Sequence, residues 1–190
     1  YYTALKYLKS RAHSRKEVYE YLKKKEYPSE FIDEAVSKLE SQGYINDLVY
    51  ARSFFNNKII TTSHGPLIIK KELQDRGVSL EIICAVLDGY TDDIQKDKID
   101  KRINRIITSS RGKSNKAIML KIRNDLYKEG FSKNLINAQL QNVQLEDDSD
   151  VYKKQYDKLY KRYSRKYSGY ELECKIKQAL YQKGFSYGKD

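Results

Sequence analysis

The chain has 190 residues, a net charge of +11, 39% hydrophobic and 33% charged residues, and a mean hydropathy of −0.80. Such a chain can bury a core, but it exposes much charged surface, and no apolar run approaches the ~20 residues of a membrane span. With only two Pro, nine Gly and few alternating apolar runs, the composition favours an all-α protein.

Apolar periodicity predicts one helix at the start of each of four successive segments. These helices span roughly 2–12, 47–62, 93–109 and 150–167. The first residues already look helical and lack a signal-peptide pattern. We therefore expect the natural protein to begin further upstream.

A second helix follows in each segment, and three of its starts are recognisable. Ser14–Glu17 and Ser168–Glu171 carry the Ser-x-x-Glu pattern of a capping box. Gly65 stands where Ser14 does, and Pro66 then takes the first helical position, which tolerates its missing N–H. The acidic stretch 144–150 is the strongest linker candidate, and its acids also suit a helix N-terminus.

Each second helix ends in the same pattern, a leucine followed four residues later by a position that is glycine in three of four cases. The leucines are Leu22, Leu73, Leu126 and Leu180, spaced by 51, 53 and 54 residues, and the later positions are Glu26, Gly77, Gly130 and Gly184. Glycine suits the left-handed end of a helix. Glu26 therefore predicts a different or strained helix end.

The third helix of each segment carries a repeated apolar stripe that we expect to be buried. The stripes are Phe31, Ile32, Val36 and Leu39; Ile82, Ile83, Leu87 and Tyr90; and Leu135, Ile136, Leu140 and Val143. A three-helix unit of ~45 residues is marginal alone, so neighbouring units should stack. We predict all-α tandem three-helix repeats in an elongated, curved array. The repeats are 1–45, 46–90, 91–146 and a partial fourth at 147–190 that lacks its third helix.

The first junction between repeats carries a distinctive motif, made of Leu39, Gly43, Tyr44, Ile45, Asn46, Asp47, Tyr50, Ala51, Gly65, Glu72, Leu73, Arg76 and Gly77. This motif resembles that of the RecX family, regulators of RecA recombinase. The match is tight over 4–90, with Glu26 in place of the family's usual Gly, and weaker over 91–190. The resemblance implies a protein that binds the RecA–single-stranded DNA filament, in its groove, and inhibits RecA ATPase, strand exchange and coprotease activities in recombination, DNA repair and the SOS response.

The motif at this junction has a structural interpretation. Gly43 can end one helix, Tyr44 and Ile45 can pack at the joint, and Asn46 or Asp47 can cap the next helix. We interpret the motif as marking how repeats join. Direct contact of these residues with a partner is the alternative.

Cations are concentrated in the second half, where residues 91–190 carry 23 basic and 14 acidic groups. The candidate partner-binding or DNA-binding residues are Lys101, Arg102, Arg105, Arg111, Lys113, Lys116, Lys121, Arg123, Lys153, Lys154, Lys158, Lys161, Arg162, Arg165 and Lys166. Stacked repeats could align them into one strip that neutralises phosphates. An ordinary solvated face is the alternative.

Tyrosines accompany the second group of cations in 151–167. Tyr152, Tyr156, Leu159, Tyr163 and Tyr167 follow one side of a helix, which favours a packed stripe over a base-stacking surface. Elsewhere, exposed tyrosines such as Tyr160 or Tyr170 could stack on bases.

No constellation of catalytic or metal-binding residues emerges. His13, His64, Cys84 and Cys174 lack any zinc spacing, and we expect both cysteines to be reduced core residues of an intracellular, cytoplasmic protein. The stretch 111–114 ends like a phosphate loop without its glycine cradle. We expect instead that Ser114 caps a helix.

Three functions stay open. The first is a non-enzymatic, monomeric RecA regulator without catalytic residues, cofactor or metal, which contacts single-stranded DNA directly or through the filament. The second is a general nucleic-acid-binding helical module, and the third is a scaffold for an acidic protein. The junction motif favours the first, and the basic second half fits the second.

Overall fold

The computed structural model describes residues 1–110 and 112–185, and throughout this part the secondary structure is helical, with eleven α-helices and no strand. The helices are α1 Tyr2–Leu8, α2 Arg15–Lys23, α3 Ser29–Ser41, α4 Asp47–Thr61, α5 Pro66–Asp75, α6 Leu80–Leu87, α7 Asp92–Ser109, α8 Asn115–Lys128, α9 Lys133–Gln141, α10 Ser149–Tyr163 and α11 Gly169–Gln182. In the described ranges no helix has the length and apolar character needed to cross a membrane. The first helix is shorter than predicted, and α10 ends at Tyr163 rather than near 167.

The chain divides into two compact units. Unit 1 contains Tyr1–Gln95 and Glu129–Phe131, and unit 2 contains Lys96–Lys128 and the residues from Ser132 onward. The acidic stretch 144–150 therefore lies inside unit 2. There the Asp148 carboxylate accepts a hydrogen bond of 2.7 Å from the Asn115 amide at the start of α8.

Unit 1 holds two three-helix cores. Helices α1 to α3 enclose one, and α4 to α6 enclose the other. The buried members are Ala4, Val18, Leu22, Ile32, Val36, Leu39 and Ile45 in the first core and Tyr50, Ala51, Phe55, Ile69, Leu73, Val78, Ile83, Val86 and Tyr90 in the second. The predicted stripes of α3 and α6 are thus largely confirmed.

Phe31 is the exception, because its side chain is 62% exposed. The buried positions of α3 are Ile32, Ala35, Val36 and Leu39. Phe31 precedes the first of them by one residue, which turns it about 100° away from the core. The expectation that it packs was wrong.

Unit 2 repeats the pattern with α7, α8 and α9, followed by the pair α10 and α11. Buried side chains on the first three are Ile99, Ile103, Ile106, Ile118, Ile122, Leu126, Ile136 and Leu140. A further cluster joins α10 to α11 through Leu159, Leu172, Ile176, Leu180 and Phe185. Each helix therefore buries one stripe at helical spacing.

The helix ends confirm the glycine pattern. Gly77, Gly130 and Gly184 have φ of +78°, +85° and +84°, and Glu26 takes the same left-handed conformation at +62°. This conformation costs a residue with a Cβ about 1–2 kcal/mol. The end of α2 is therefore strained, as the substitution of Glu for Gly predicted.

At three of these helix ends, the residue at the start of an earlier helix makes a hydrogen bond. The Ser14 hydroxyl, which begins α2, donates to the Arg76 carbonyl at 2.7 Å, and the Ser114 hydroxyl, which begins α8, donates to the Lys183 carbonyl at 2.9 Å. Within unit 1, the Gly65 amide likewise donates to the Glu129 carbonyl at 2.6 Å. Each of these contacts thus pairs the start of one helix with the left-handed end of the helix three further along the chain.

Of the two predicted capping boxes, one forms. The Ser14 hydroxyl accepts from the Glu17 amide at 3.1 Å, and the Glu17 carboxylate accepts from the Ser14 amide at 3.2 Å. The box at Ser168 was a wrong prediction, because that side chain makes no cap hydrogen bond. The chain enters α11 there through Gly169 at φ +55°, a different approach from that at Ser14.

Candidate partner-binding surfaces

Residues of the junction motif make hydrogen bonds within unit 1. The Asn46 side chain caps α4 by accepting from the Val49 amide at 3.0 Å, and Asp47 accepts from the Arg15 amide at 2.8 Å. Burial raises the pKa of the Asp47 carboxyl. Asn46 therefore starts α4, and Asp47 joins this start to the start of α2 in the first three-helix group.

The second half of the motif is equally engaged. Gly65 precedes Pro66 at the first position of α5, and Leu73 is fully buried. The Glu72 carboxylate lies 2.7 Å from Lys58 Nζ and 3.5 Å from His64 Nδ1. These contacts support the interpretation that the motif serves the fold.

Tyr44 departs from that interpretation. Its neighbour Ile45 is buried in the first core, whereas Tyr44 is 57% exposed. Gly43, at φ +76°, ends α3 and turns the chain so that only Ile45 faces inward. The prediction that Tyr44 packs at the joint was wrong.

Helix α10 packs by its tyrosine stripe. Tyr152, Tyr156, Tyr163 and Tyr167 lie against the cluster that contains Leu159, and all four are half-buried. The packed stripe, rather than a base-stacking surface, is therefore the arrangement in the structure. Tyr160 and Tyr170 lie outside it and are 48% and 84% exposed.

The cations around this stripe form what we call the α10 basic surface. It consists of Lys153, Lys154, Lys158, Lys161, Arg162, Arg165 and Lys166, all exposed. Among the described residues none of them forms a salt bridge with a carboxylate. The Arg162 guanidinium lies 5.7 Å from the ring centroid of Tyr163. This surface therefore presents positive charge that the fold does not neutralise.

Some cations of α7 and α8 form salt bridges with carboxylates, whereas others form none in the ranges that the structure describes. Lys101 and Arg102 form salt bridges with Asp97 at 2.7 Å and Asp125 at 3.2 Å, which makes these two weaker candidates for phosphate binding. The remaining ones in the described part are Arg105, Lys113, Lys116 and Arg123, which are exposed, and Lys121, which is half-buried. Arg111 lies outside the described residues. A single strip that joins these cations to the α10 basic surface stays a prediction.

Two exposed tyrosines escaped the sequence analysis. Tyr127 on α8 is 56% exposed and Tyr181 on α11 is 59% exposed. Each stands four residues after a cation, Arg123 or Lys177, on the same helix. That spacing, off the buried stripe, was the available signal, and the abundance of tyrosine obscured it.

The histidines and cysteines provide no metal site in the described ranges, where no group of three or more His, Cys, Asp or Glu side chains could hold an ion. His13 is 3% exposed and stacks on Tyr7 at 3.8 Å between ring centroids. Cys84 and Cys174 are exposed, so the prediction of buried thiols was wrong. Each lies one or two residues from a buried position and points off the stripe.

Ser114, the last residue of the stretch 111–114, stands at the start of a helix. The Ser114 hydroxyl accepts from the Ala117 amide at 3.2 Å and so caps α8. The prediction that Ser114 is a cap is thereby confirmed.

Comparisons with known proteins match this arrangement. The models of the RecX first, second and third three-helix domains match residues 1–39, 46–87 and 146–188. The chain belongs to the RecX family of regulatory proteins. The RecX domain matches fall on three of the four predicted segments, and the division into four repeats stays a prediction.

Bacterial RecX proteins are similar to this chain over nearly all of its length. Regulatory protein RecX of Oceanobacillus iheyensis is 32% identical over 98% of this chain and 70% of the relative, and that of Bacillus pumilus is 35% identical over 96% and 70%. A crystal structure of RecX from Lactobacillus salivarius superposes with a TM-score of 0.69 at 30% identity, covering 74% of this chain and 91% of that one. The helical RecX fold predicted from the junction is thereby confirmed.

Proposed function

We propose that this chain is a non-enzymatic regulator that binds the RecA–single-stranded DNA filament, in its groove, and inhibits RecA ATPase, strand exchange and coprotease activities. Membership of the RecX family carries the proposal. A RecA filament as partner would place the protein in the cytoplasm, in recombination, DNA repair and the SOS response. We propose that it acts as a monomer.

The α10 basic surface supplies the contact in this proposal. Seven exposed cations without a carboxylate partner in the described part can meet DNA phosphates or an acidic face of the filament. Modest contacts from several repeats would add through effective concentration, so single substitutions should have mild effects. A molecule bound across neighbouring RecA protomers would hold the filament in one shape and thereby slow ATP turnover.

A second candidate is a general nucleic-acid-binding module. The charge of the α10 basic surface favours it, because phosphate binding needs no RecA. The two candidates differ in whether RecA responds when bare DNA is plentiful.

The deciding experiment is a titration of this chain into RecA hydrolysing ATP on single-stranded DNA, with DNA in excess of what the chain can sequester. Inhibition well below one chain per RecA is the expected result. Binding to bare DNA without any change in ATP hydrolysis would overturn the regulator and leave the nucleic-acid module. Neither effect would instead favour a scaffold for another acidic protein.

A further inference from the structure

Helix α8 presents an exposed face on which cations alternate with apolar side chains. Lys116, Leu120, Arg123 and Tyr127 follow one another at steps of four, three and four residues, which places them on one side of the helix. All four are exposed, with Leu120 at 55% and Tyr127 at 56%. The buried stripe of α8, which includes Ile122, lies on a different side of the helix. We call this face the α8 track.

One end of the α8 track opens into a small cavity of about 250 Å³ between α8 and α9. Its lining consists of Arg123, Tyr127, Lys133, Ile136 and Asn137. The lining therefore combines an exposed aromatic ring, two cations and an amide, without a carboxylate. Neither cation forms a salt bridge among the described residues.

A second exposed ring lies at the other end. Lys116 Nζ is 5.6 Å from the ring centroid of Tyr181 on α11, and Tyr181 is 59% exposed. Eleven residues of helix separate Lys116 from Tyr127, a distance of about 16 Å along the axis. The two rings thus bracket a track long enough for several nucleotides.

The carboxylates on α8 and at its start already have partners. The sequences of α8 and α9 contain one carboxylate, Asp125, and it forms a salt bridge of 3.2 Å with Arg102 of α7. The Asp148 carboxylate at the start of α8 accepts a hydrogen bond of 2.7 Å from the Asn115 amide. A chain of phosphates at this face would meet cations without a nearby free carboxylate from either helix.

We propose that the α8 track binds single-stranded nucleic acid, with Tyr127 and Tyr181 stacking on bases while Lys116, Arg123 and Lys133 contact phosphates. Exposed rings between cations suit a single strand, since its bases offer free faces that a duplex hides. An acidic protein segment would use the cations but has no need of both rings. The inference rests on the proposed function for its setting, yet direct DNA binding is measurable without RecA.

The test compares two fluorescein-labelled 20-nucleotide probes, dT20 and a strand of the same length with abasic sites along its middle. Binding is followed by fluorescence anisotropy with the full chain. Tyr127→Leu removes the ring but keeps an apolar, helix-compatible side chain. It should weaken dT20 binding about fivefold or more, with little change on the abasic strand. Tyr127→Phe should restore most of the affinity.

Tyr44→Leu is the matched control, because Tyr44 is exposed to the same degree but lies in unit 1. It should leave both affinities unchanged. Arg123→Gln should weaken both probes alike and lower the salt dependence of binding. Helicity and melting temperature, checked for every variant, identify any substitution that acts through folding.

Equal binding of dT20 by the wild type and Tyr127→Leu would overturn the proposal. So would equal wild-type affinity for the two probes, since stacking would then contribute nothing. Competition by polyglutamate that depends on Tyr127 would assign the face to an acidic protein instead. Loss of dT20 binding in Tyr127→Leu with RecA inhibition intact would support the track while separating it from the regulatory contact. Wild-type dT20 binding with no RecA effect would leave the track standing and refute the proposed function.

Discussion

The backbone of Gly77 lies so close to the Lys16 side chain that a residue with a Cβ atom does not fit at position 77. A Cβ atom on Gly77 would lie 2.6 Å from Lys16 Cβ and 2.8 Å from its Cδ. Because a Cβ is fixed by its own backbone, Lys16 could not rotate away to make room. The glycine that ends α5 is therefore required twice, by its φ of +78° and by the start of α2 that docks on it.

Gly77→Ala should accordingly destabilise unit 1 by more than about 2 kcal/mol. The left-handed backbone alone accounts for about 1–2 kcal/mol of this loss. The clash with Lys16, which displaces the start of α2, adds to it. Urea denaturation followed by circular dichroism measures the change. Gly43→Ala is the control, since φ there is +76° but nothing lies within 4 Å of the added Cβ. Equal losses in the two variants would show that the joint tolerates the methyl group.

Glu26→Gly should have the opposite effect. Glu26 occupies the equivalent left-handed position at φ +62°, where a residue with a Cβ is strained. Glycine relieves that strain, and after its greater freedom in the unfolded chain is subtracted, the gain should be about 0.5–1 kcal/mol. Glu26→Ala keeps the Cβ and should change little. A loss of stability in Glu26→Gly would mean that the glutamate side chain itself contributes to the fold.

Much of this fold could be predicted because the glycine and leucine positions repeat and the buried stripes keep helical spacing. Ile32, Val36 and Leu39 were located that way. Phe31 and Cys84 were misplaced because periodicity does not tell how wide a buried stripe is, and each adjoins a truly buried residue. The width depends on which neighbouring helices cover the edges, and a single sequence does not contain that information.

The candidate surfaces, too, could be predicted from the sequence only in part. Cations off the apolar stripe, such as Lys158, were correctly expected at the surface because a charged head seeks water. The salt bridge between Arg102 and Asp125 spans 23 residues and depends on how α7 packs on α8. The exposure of Tyr127 likewise follows from that packing. Composition alone did not separate it from the other tyrosines.

His13 should make stability depend on pH. Its side chain is 3% exposed, and burial, assisted by Arg11 and opposed by Glu17, holds its pKa below the usual value of 6.5. Between the folded and unfolded pKa values the unfolded chain binds more protons, so this contribution to stability falls as pH drops below 6.5.

Thermal unfolding of the wild type and His13→Phe between pH 5 and pH 7.5 measures this effect. Phenylalanine can keep the stacking on Tyr7 but does not titrate. The difference in melting temperature should shift in favour of the variant as pH falls, whereas carboxylate titrations common to both proteins cancel. Parallel curves across the range would show that His13 accepts its proton without penalty.

Reversing charge on α10 tests the proposed regulatory surface. Lys158, Arg162 and Arg165, each replaced by Glu, should weaken inhibition of RecA ATP hydrolysis because all three are exposed and unpaired with carboxylates in the described part. The helical circular dichroism should be preserved, since none of the three lies in the packed stripe. The matched control replaces Lys23, Lys24 and Lys25, also exposed, with Glu and so changes the net charge equally. Equal weakening in both triple variants would assign the effect to overall charge, and full inhibition by the α10 variant would exclude this face from the filament contact.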